Sequence, residues 1–187
     1  MNSFYNQEEL KELGLKKIGD NVLISKKASI YSPNTIEIGD NVRIDDFCLL
    51  SGNICIKNNV HISAYTALYG GGKIIIGNYC GCSPRCTILS VSDDFSGEHM
   101  IGAIFDSKYT NVTKGKVILE DYVQLGANTV VLPNTTIKEG TVTGAMTFVK
   151  KNLDSWGIYA GIPATLKKKR SKKILLKIKE YEIWNTN

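Results

Sequence analysis

The sequence predicts an all-β solenoid, a fold in which short strands coil around one continuous core. Large aliphatic residues recur at every sixth position, smaller residues precede them by two positions, and turn formers such as IGDN at Ile18 to Asn21 separate the units. A period of six matches no helical face, whereas residues two apart on a strand point to the same side. Each six-residue unit is therefore expected to be a short strand, and stacked strands bury together what one cannot bury alone.

The repeat is interrupted from Ser90 to Lys116 and shifts by two positions at Ile36/Ile38 and at Ile74/Ile76. The large positions are Ile18, Ile24, Ile30, Ile36, Ile38, Ile44, Leu50, Ile56, Ile62, Leu68, Ile74, Ile76, Cys82, Ile88, Leu119, Leu125, Val131, Ile137, Thr143 and Val149. The small positions are Val22, Ala28, Val42, Cys48, Val60, Thr66, Cys80, Cys86, Val123, Thr129, Thr135, Thr141 and Thr147. This regularity predicts one architecture for most of the chain.

The five cysteines are Cys48, Cys55, Cys80, Cys82 and Cys86. The cluster CGCSPRC has no histidine nearby, and the repeat places Cys80, Cys82 and Cys86 at inward positions. Small buried thiols fill a core well. They are therefore predicted to be core residues in a reducing compartment, and no metal site is predicted.

The two ends are expected to cover the open edges of the stack, which otherwise invite aggregation. Residues 1–17 are predicted to hold a short capping helix over Phe4 to Leu13. The solenoid then occupies 18–164, with 90–116 as a long loop insertion. Residues 165–187 are predicted to form a basic C-terminal helix with an apolar stripe of Leu166, Ile174, Leu175 and Ile178.

Charge and hydropathy narrow the class of protein. The net charge is +5, but the segment from Thr165 onward holds eight basic and two acidic residues, so the rest is close to neutral. A nucleic-acid partner is therefore not expected. The run KKKRSKK fits either a solvated helix face or a contact to a phosphate-bearing cofactor. No apolar run spans a bilayer and the N-terminus does not look like a secretory signal, so we expect a cytoplasmic protein.

The repeats, the IGDNV units, the stretch LGANTVVLPNTTIKEGTVTGAMTFV and the closing YAGIPA resemble the hexapeptide-repeat acyltransferases. This resemblance implies a left-handed parallel β-helix with three hexads per coil, a homotrimer, and acyl transfer from coenzyme A at subunit interfaces. Stretches such as FYNQEELKELG, NVRIDDFC, AYTALYGG and SDDFSGE are most similar to the N-acyltransferases of dTDP-4-amino-4,6-dideoxyglucose. That likeness implies a nucleotide-sugar substrate, acetyl-CoA as the simplest acyl donor, and a role in O-antigen or other surface-glycan biosynthesis.

The acceptor is inferred from what stands at the start of the insertion. In the O-acetyltransferases that this chain resembles, a catalytic histidine follows the strand there, and Asp93 occupies that position here. A sugar hydroxyl needs a base to remove its proton, and a carboxylate with a pKa near 3.9 is a weak one. A neutral amine already has a free lone pair. Asp93 or Asp94 is therefore predicted to hold an amine, unless both only cap backbone N–H groups.

Ser83, His61 and His99 are the other candidate catalytic residues. Ser83 follows the inward Cys82, faces outward, and is suited to hydrogen-bond the thioester oxygen, unless it is only a turn serine. His61 is also expected to face outward, in vertical register with Arg43 and Tyr79 if every coil has 18 residues. A lone outward histidine is more often a surface or interface residue, so this alternative stays open.

The resemblance implies that coenzyme A lies along the C-terminal coils. Gly126, Gly144 and Ala145 would let its pantetheine arm approach the backbone. The turn YAGIPA, with Gly161 and Pro163, matches the segment near the adenine. The residues from Lys167 to Arg170, Lys168 and Arg170 among them, are the candidates for phosphate contacts.

Two other functions remain open from the sequence. O-acetylation of a sugar hydroxyl fits the fold but not Asp93, and a non-catalytic solenoid scaffold would release no thiol from acetyl-CoA. A metal-dependent solenoid with three histidine ligands is excluded because the chain has two histidines.

Overall fold

A computed structural model describes residues 3–185, so the terminal residues 1–2 and 186–187 of the predicted end segments lie outside the described part. The protein is a left-handed parallel β-helix of about seven turns. The helices are α1 (Gln7–Glu12) and α2 (Ile174–Asn185). The strands are β1 (Lys17–Ile18), β2 (Leu23–Ile24), β3 (Ser29–Tyr31), β4 (Ile36–Ile38), β5 (Val42–Ile44), β6 (Leu49–Ile56), β7 (Val60–Ile62), β8 (Ala67–Ile76), β9 (Gly81–Cys82), β10 (Thr87–Leu89), β11 (Val91–Ser92), β12 (Thr113–Lys114), β13 (Val117–Leu119), β14 (Gln124–Leu125), β15 (Val130–Val131), β16 (Thr135–Ile137), β17 (Val142–Thr143), β18 (Phe148–Val149), β19 (Gly157–Ala160) and β20 (Thr165–Lys169).

The strands form three faces of a triangular prism, and each coil contributes to all three. The first face stacks β1, β4, the ends of β6 and β8, β13 and β16. The second face runs β2-β5-β7-β9-β14-β17-β19-β20, and the third face runs from β3 through β6, β8, β10 and β15 to β18. β6 and β8 are long because each passes around the corner from the third face into the first face of the next coil.

The core confirms the predicted repeat. Every large position is buried except Ile18 and Ile30, which lie in the first coil. Fully burying one such aliphatic side chain stabilises the fold by about 1.5–3 kcal/mol, so the stacked rows dominate its stability. Cys48, Cys80, Cys82 and Cys86 are buried free thiols, as predicted, and burial raises the pKa of Cys80 to about 12. The core prediction is wrong for Cys55, which is only half-buried because it alternates with the inward Ile54 and Ile56 on β6. Such thiols stay protonated and unreactive.

The insertion leaves the solenoid between β10 and β13. It begins with a two-stranded antiparallel ribbon of β11 and β12, and its ends are joined by a 2.9 Å bond from Gly115 N to the Ser90 carbonyl. The buried Ser90 hydroxyl also donates to the Tyr69 carbonyl at 2.7 Å. The apolar side chains of the insertion are largely exposed in the single chain; Phe95 is 78% exposed and Ile104 is 88% exposed.

The N-terminal cap agrees with the sequence prediction. α1 begins after Asn6, whose side chain accepts hydrogen bonds from the N–H groups of Glu8 and Glu9. The Glu9 carboxylate accepts a bond from the Asn6 N–H in return, which completes a capping box. Leu10 is buried against the first coil.

The prediction of a helix over 165–187 is wrong in its first part. Residues from Thr165 to Lys169 form β20, which pairs antiparallel with β19, and the helix begins only at Ile174. The physical reason is that the last strand of the second face has a free edge, and the returning chain satisfies its backbone groups. Leu166 is therefore a strand residue opposite Tyr159 and does not belong to a helical stripe.

The C-terminal segment docks on a stack of aromatic rings at the corner between the first and second faces. Tyr79 and Tyr122 have ring centroids 5.8 Å apart, and Tyr122 and Trp156 are 6.3 Å apart. The Tyr79 hydroxyl donates to the Glu182 carboxylate of α2 at 2.5 Å. Burial and this carboxylate raise the pKa of Tyr79 to about 12, so the phenol stays a donor. In residues 3–185 no helix is both long and apolar enough to cross a membrane.

Candidate functional site

The corner between the second and third faces brings four predicted site residues together. We call it the serine corner; in successive coils it consists of residues 45–47, 63–65, 83–85, 126–128 and 144–146. Ser83, Gly126 and Gly144 occupy equivalent places on it, and Ala145 follows. Ser83 N donates to the Leu125 carbonyl at 2.9 Å, and Gly126 N donates to the Thr143 carbonyl at 3.0 Å. Consecutive coils are about 4.8 Å apart, so the corner offers a straight edge along several coils.

Gly126 is required by the stacking of the corner itself. A Cβ atom at this position would lie 2.5 Å from the carbonyl carbon of Gly144, so the next coil leaves no space for a side chain. Behind the corner, Thr129 and Thr143 are buried, and their hydroxyl oxygens lie 2.9 Å apart. Gly126 N also donates to the Thr143 hydroxyl at 3.0 Å. These hydroxyls replace larger aliphatic groups and hold the glycine turns in place.

Ser83 exposes a hydroxyl that is free to bind a ligand. It is half-buried, and its Oγ makes no hydrogen bond to another side chain or backbone group among residues 3–185. The backbone of Ser83 is fixed on both sides, since its N–H bonds Leu125 and its carbonyl accepts from Thr66 Oγ1 at 3.4 Å. A fixed backbone with a free hydroxyl suits a preorganised donor.

His61 lies beside Ser83 in a cavity of about 670 Å³ between the second face and α2. Its Nε2 is 2.7 Å from the Asp45 carboxylate, and Arg43 Nε donates to the other oxygen of Asp45 at 2.7 Å. Burial of Asp45 opposes its ionisation, but the hydrogen bonds from Arg43 and His61 outweigh this and hold its pKa below the ordinary value. The carboxylate therefore stays charged and fixes the imidazole ring.

The predicted vertical register of His61 is half right. Arg43 is its neighbour below, as expected, but the neighbour above is Gly81 and not Tyr79. The extra residues around Gly71 to Lys73 lengthen that coil, so the register steps by two.

The structure distinguishes the two aspartates of the insertion. Asp94 accepts hydrogen bonds from Ser96 N at 2.8 Å and from Asn111 Nδ2 at 3.3 Å, and His99 Nδ1 lies 2.7 Å away. The bonds from Ser96, followed by the contact with His99, hold the pKa of Asp94 well below its usual range. Asp94 therefore organises the loop.

The Asp93 carboxylate, in contrast, has no hydrogen bond or ion pair to any residue in the described part of the chain. It is half-buried, directly after β11 at the base of the insertion. Of the two aspartates, Asp93 is thus the one whose carboxylate has no partner among the described residues. It does not line the cavity that holds His61 and Ser83, because the insertion leaves from the far end of the third face.

The remaining cofactor candidates fall into two groups. Gly161 and Pro163 lie at the C-terminal end of the serine corner, where the Gly161 carbonyl accepts a 3.0 Å bond from Phe148 N. Lys168 is exposed on β20, opposite Ile158.

Arg170 lies at the corner between the first and second faces, away from the other cofactor candidates. Its Nη1 donates to the carbonyls of Tyr122 at 2.8 Å and Gly140 at 2.9 Å, and its guanidinium lies 5.9 Å from the Trp156 ring centroid. Burial lowers its pKa below the ordinary value. The structure therefore shows Arg170 fastening the C-terminal segment to the solenoid.

Sequence reasoning missed Asp45 as the shared partner of His61 and Arg43, although its 18-residue offset from Ser63, two positions after His61, could have revealed it. It also missed the stacked rings of Phe47 and Tyr65 on the serine corner. In residues 3–185 no group of three or more histidine, cysteine or acidic side chains is arranged to hold a metal ion.

A left-handed β-helix with this glycine-rich corner defines a hexapeptide-repeat acyltransferase. No family model matches the chain. It is 40% identical over 176 residues to the dTDP-4-amino-4,6-dideoxy-D-glucose acyltransferase of Escherichia coli, covering 92% of each chain. The chain belongs to this acyltransferase family.

Solved structures of AntD, an N-acyltransferase from Bacillus cereus, are similar over nearly the whole chain. The complex with dTDP and 3-hydroxybutyryl-CoA has 48% identity and a TM-score of 0.97, with 100% of both chains covered. A variant with a substituted serine, bound to dTDP-4-amino-4,6-dideoxyglucose and coenzyme A, has 49% identity and a TM-score of 0.95, covering 97% of each chain. In another AntD variant the substituted residue is an aspartate ten positions after that serine.

Proposed function

We propose that the protein transfers an acyl group from an acyl-CoA, with acetyl-CoA the simplest donor, to the 4-amino group of dTDP-4-amino-4,6-dideoxyglucose. The observation that favours this reaction is the free Asp93 carboxylate at the place where related O-acetyltransferases have a histidine. The E. coli relative is named for this acceptor, and AntD binds it together with coenzyme A. The product would serve O-antigen or other surface-glycan biosynthesis in the cytoplasm.

Coenzyme A is proposed to lie along the C-terminal part of the serine corner. Gly126, Gly144 and Ala145 present a smooth edge there, which suits a pantetheine arm that bonds to backbone groups. Gly161 and Pro163 continue this edge toward the adenine, and Lys168 offers an exposed charge to a phosphate.

The active site is proposed to form between subunits of a homotrimer. Within one chain, Ser83 and Asp93 lie at opposite ends of the third face, so one chain does not bring them together. The exposed apolar side chains of the insertion suit a contact with a neighbouring copy. The serine and aspartate substituted in AntD are ten positions apart, as Ser83 and Asp93 are here, which supports both as site residues.

The chemistry follows from these placements. The Asp93 carboxylate holds the amine and stabilises the positive charge that develops on nitrogen as it attacks the thioester carbon. The Ser83 hydroxyl donates to the oxygen of the tetrahedral intermediate. The C–S bond then breaks, and the proton lost by nitrogen neutralises the departing thiolate, so the products are an amide and free coenzyme A. His61, fixed by Asp45, faces the adjoining cavity and is proposed to help orient the acceptor.

The test is to measure release of free coenzyme A from acetyl-CoA with dTDP-, UDP- and GDP-linked amino sugars and their hydroxyl analogues. We expect turnover with the dTDP-linked 4-amino sugar. Turnover of a hydroxyl sugar without turnover of any amine would favour O-acetylation instead. No thiol release with any acceptor would favour a non-catalytic scaffold.

A further inference from the structure

We propose that three side chains on the N-terminal part of the serine corner bind the nucleoside diphosphate of the acceptor. These are Phe47, Tyr65 and Arg85, which we call the aromatic ladder. The inference rests on the proposed function, because it assigns the part of the substrate that does not react. It adds a binding subsite for a pyrimidine nucleoside diphosphate next to Ser83.

The ladder is a regular stack that remains exposed. The rings of Phe47 and Tyr65 are stacked with centroids 4.9 Å apart at 23°. The Arg85 guanidinium lies 5.5 Å from the centroid of Tyr65. The two rings are 48% and 52% exposed, so one long side of the stack is open to a flat ligand.

The backbone at these positions is costly for bulky residues. Phe47, Tyr65 and Arg85 have φ angles of 61°, 62° and 62°, in the left-handed region that asparagine tolerates better. Asparagine does occupy equivalent turns elsewhere, as at Asn128 in the next coil of this corner. A side chain retained at such a cost is expected to have a function.

A second aromatic stack in the described part of the chain shows one function that such rings can have, which is to bind another segment. Tyr79, Tyr122 and Trp156 have positive φ values too, but the C-terminal segment covers them through Arg170 and Glu182. Nothing in residues 3–185 covers the aromatic ladder in the same way. The ladder is therefore the stack available to a ligand.

The position of the ladder relative to Ser83 fits a nucleotide-linked sugar. Coenzyme A would occupy the coils after Ser83, so the acceptor must approach from the coils before it. Arg85 is two residues from Ser83, Tyr65 lies one coil further toward the N-terminus, and Phe47 lies two coils away, with coils about 4.8 Å apart. In the substrate, one sugar ring separates the amine from the diphosphate, and the base follows. The serine, the arginine and the two rings therefore follow one another along the corner in the same order as the amine, the diphosphate and the base in the substrate.

Arg85 is also the cation left free for a diphosphate. Lys27, next to Phe47, is paired with Asp46 at 2.9 Å, and Arg43 in the adjoining cavity is paired with Asp45 at 2.7 Å. Arg85 forms no ion pair with the described residues; its charge contacts only the Tyr65 ring. A guanidinium suits bidentate contacts to phosphate oxygens.

Calorimetric binding of dTDP and dTMP to the full-length protein tests the proposal without requiring turnover. We expect Arg85→Gln to weaken dTDP at least tenfold and dTMP less, so that the preference for the second phosphate is lost. Arg85→Lys should have an intermediate effect. Tyr65→Leu should weaken both nucleotides, and Lys151→Gln, an exposed cation outside this corner, should change neither.

Three outcomes would overturn the proposal. If Arg43→Gln weakens dTDP and Arg85→Gln does not, the cavity under α2 is the nucleotide site. If the ladder variants change the oligomeric state but not dTDP affinity, the ladder is a protein interface. If dTDP binds with unchanged affinity to every variant, the subsite lies elsewhere. Failure of the acyl transfer itself would appear separately, as normal dTDP binding without thiol release.

Discussion

Replacing Arg170 separates fastening of the C-terminal segment from cofactor binding. The guanidinium Nη1 donates to two carbonyls, those of Tyr122 and Gly140. A hydrogen bond from a charged donor contributes about 1.5–3 kcal/mol. Because the guanidinium is only half-buried, we take the lower end, about 1.5 kcal/mol, for each of the two bonds and expect Arg170→Met to cost about 3 kcal/mol. The loss should be measured as the free energy of unfolding in urea.

The same variant should leave binding of acetyl-CoA nearly unchanged. Hydrogen exchange should increase in β20 and α2, which Arg170 fastens, and not in the first coils. Lys168→Gln is the matched variant: it should weaken acetyl-CoA severalfold with little effect on stability, since Lys168 is exposed and without an ion pair in the described range. An Arg170→Met protein of unchanged stability that bound acetyl-CoA at least tenfold more weakly would refute this reasoning.

Four further predictions concern the site and the core. Ser83→Ala should lower kcat by about 100-fold to 1,000-fold, as loss of an oxyanion donor does, and a smaller effect in steady-state kinetics would reduce Ser83 to a turn residue. Asp93→Asn should lower kcat/KM with unchanged hydrogen exchange in the insertion, whereas Asp94→Asn should increase that exchange; the reverse result would exchange their roles. The pKa of Asp94 is depressed in the folded state, so Asp94 should keep the insertion ordered at pH values above its ordinary pKa of about 3.9. This order should be lost as the pH falls below that value toward the depressed pKa, and hydrogen exchange measured across pH should show the loss. Ile62→Ala should cost about 2–5 kcal/mol in urea unfolding, and a loss below 1 kcal/mol would mean that the coil collapses into the cavity.

The solenoid was predictable because each strand obeys the same local rule. The hexad position that Ile62 occupies points inward in every coil. One pattern therefore determined both the core rows and the serine corner. The structure of the C-terminal segment was not predicted, because the stretch from Thr165 to Lys169 has no repeat and its conformation depends on the free edge of β19. A local reading of KKKRSKK favours a helix and contains no information about that edge.

The candidate site was predictable only in part, for a similar reason. The positions of Ser83 and Gly126 follow from the repeat, but the contacts of Asp94, His61 and Arg170 join segments that the pattern does not relate. The step that separates His61 from Tyr79 arises from two additional residues in a single strand, and a shift of two was visible at Ile74/Ile76. Which outward residues this shift brings next to each other could be known only from the strand register in the structure.

The anchoring of the insertion makes it an exchangeable part of the molecule. β13 pairs directly with β8, and Val117 lies opposite Ile74 although the two residues are 43 positions apart in the sequence. The two ends meet at Ser90 and Gly115, so the core experiences the same boundary whatever lies between them. Evolution could therefore lengthen, shorten or replace this segment without rebuilding a coil. A graft of another enzyme's loop between these two residues should keep the acyl donor and change the acceptor.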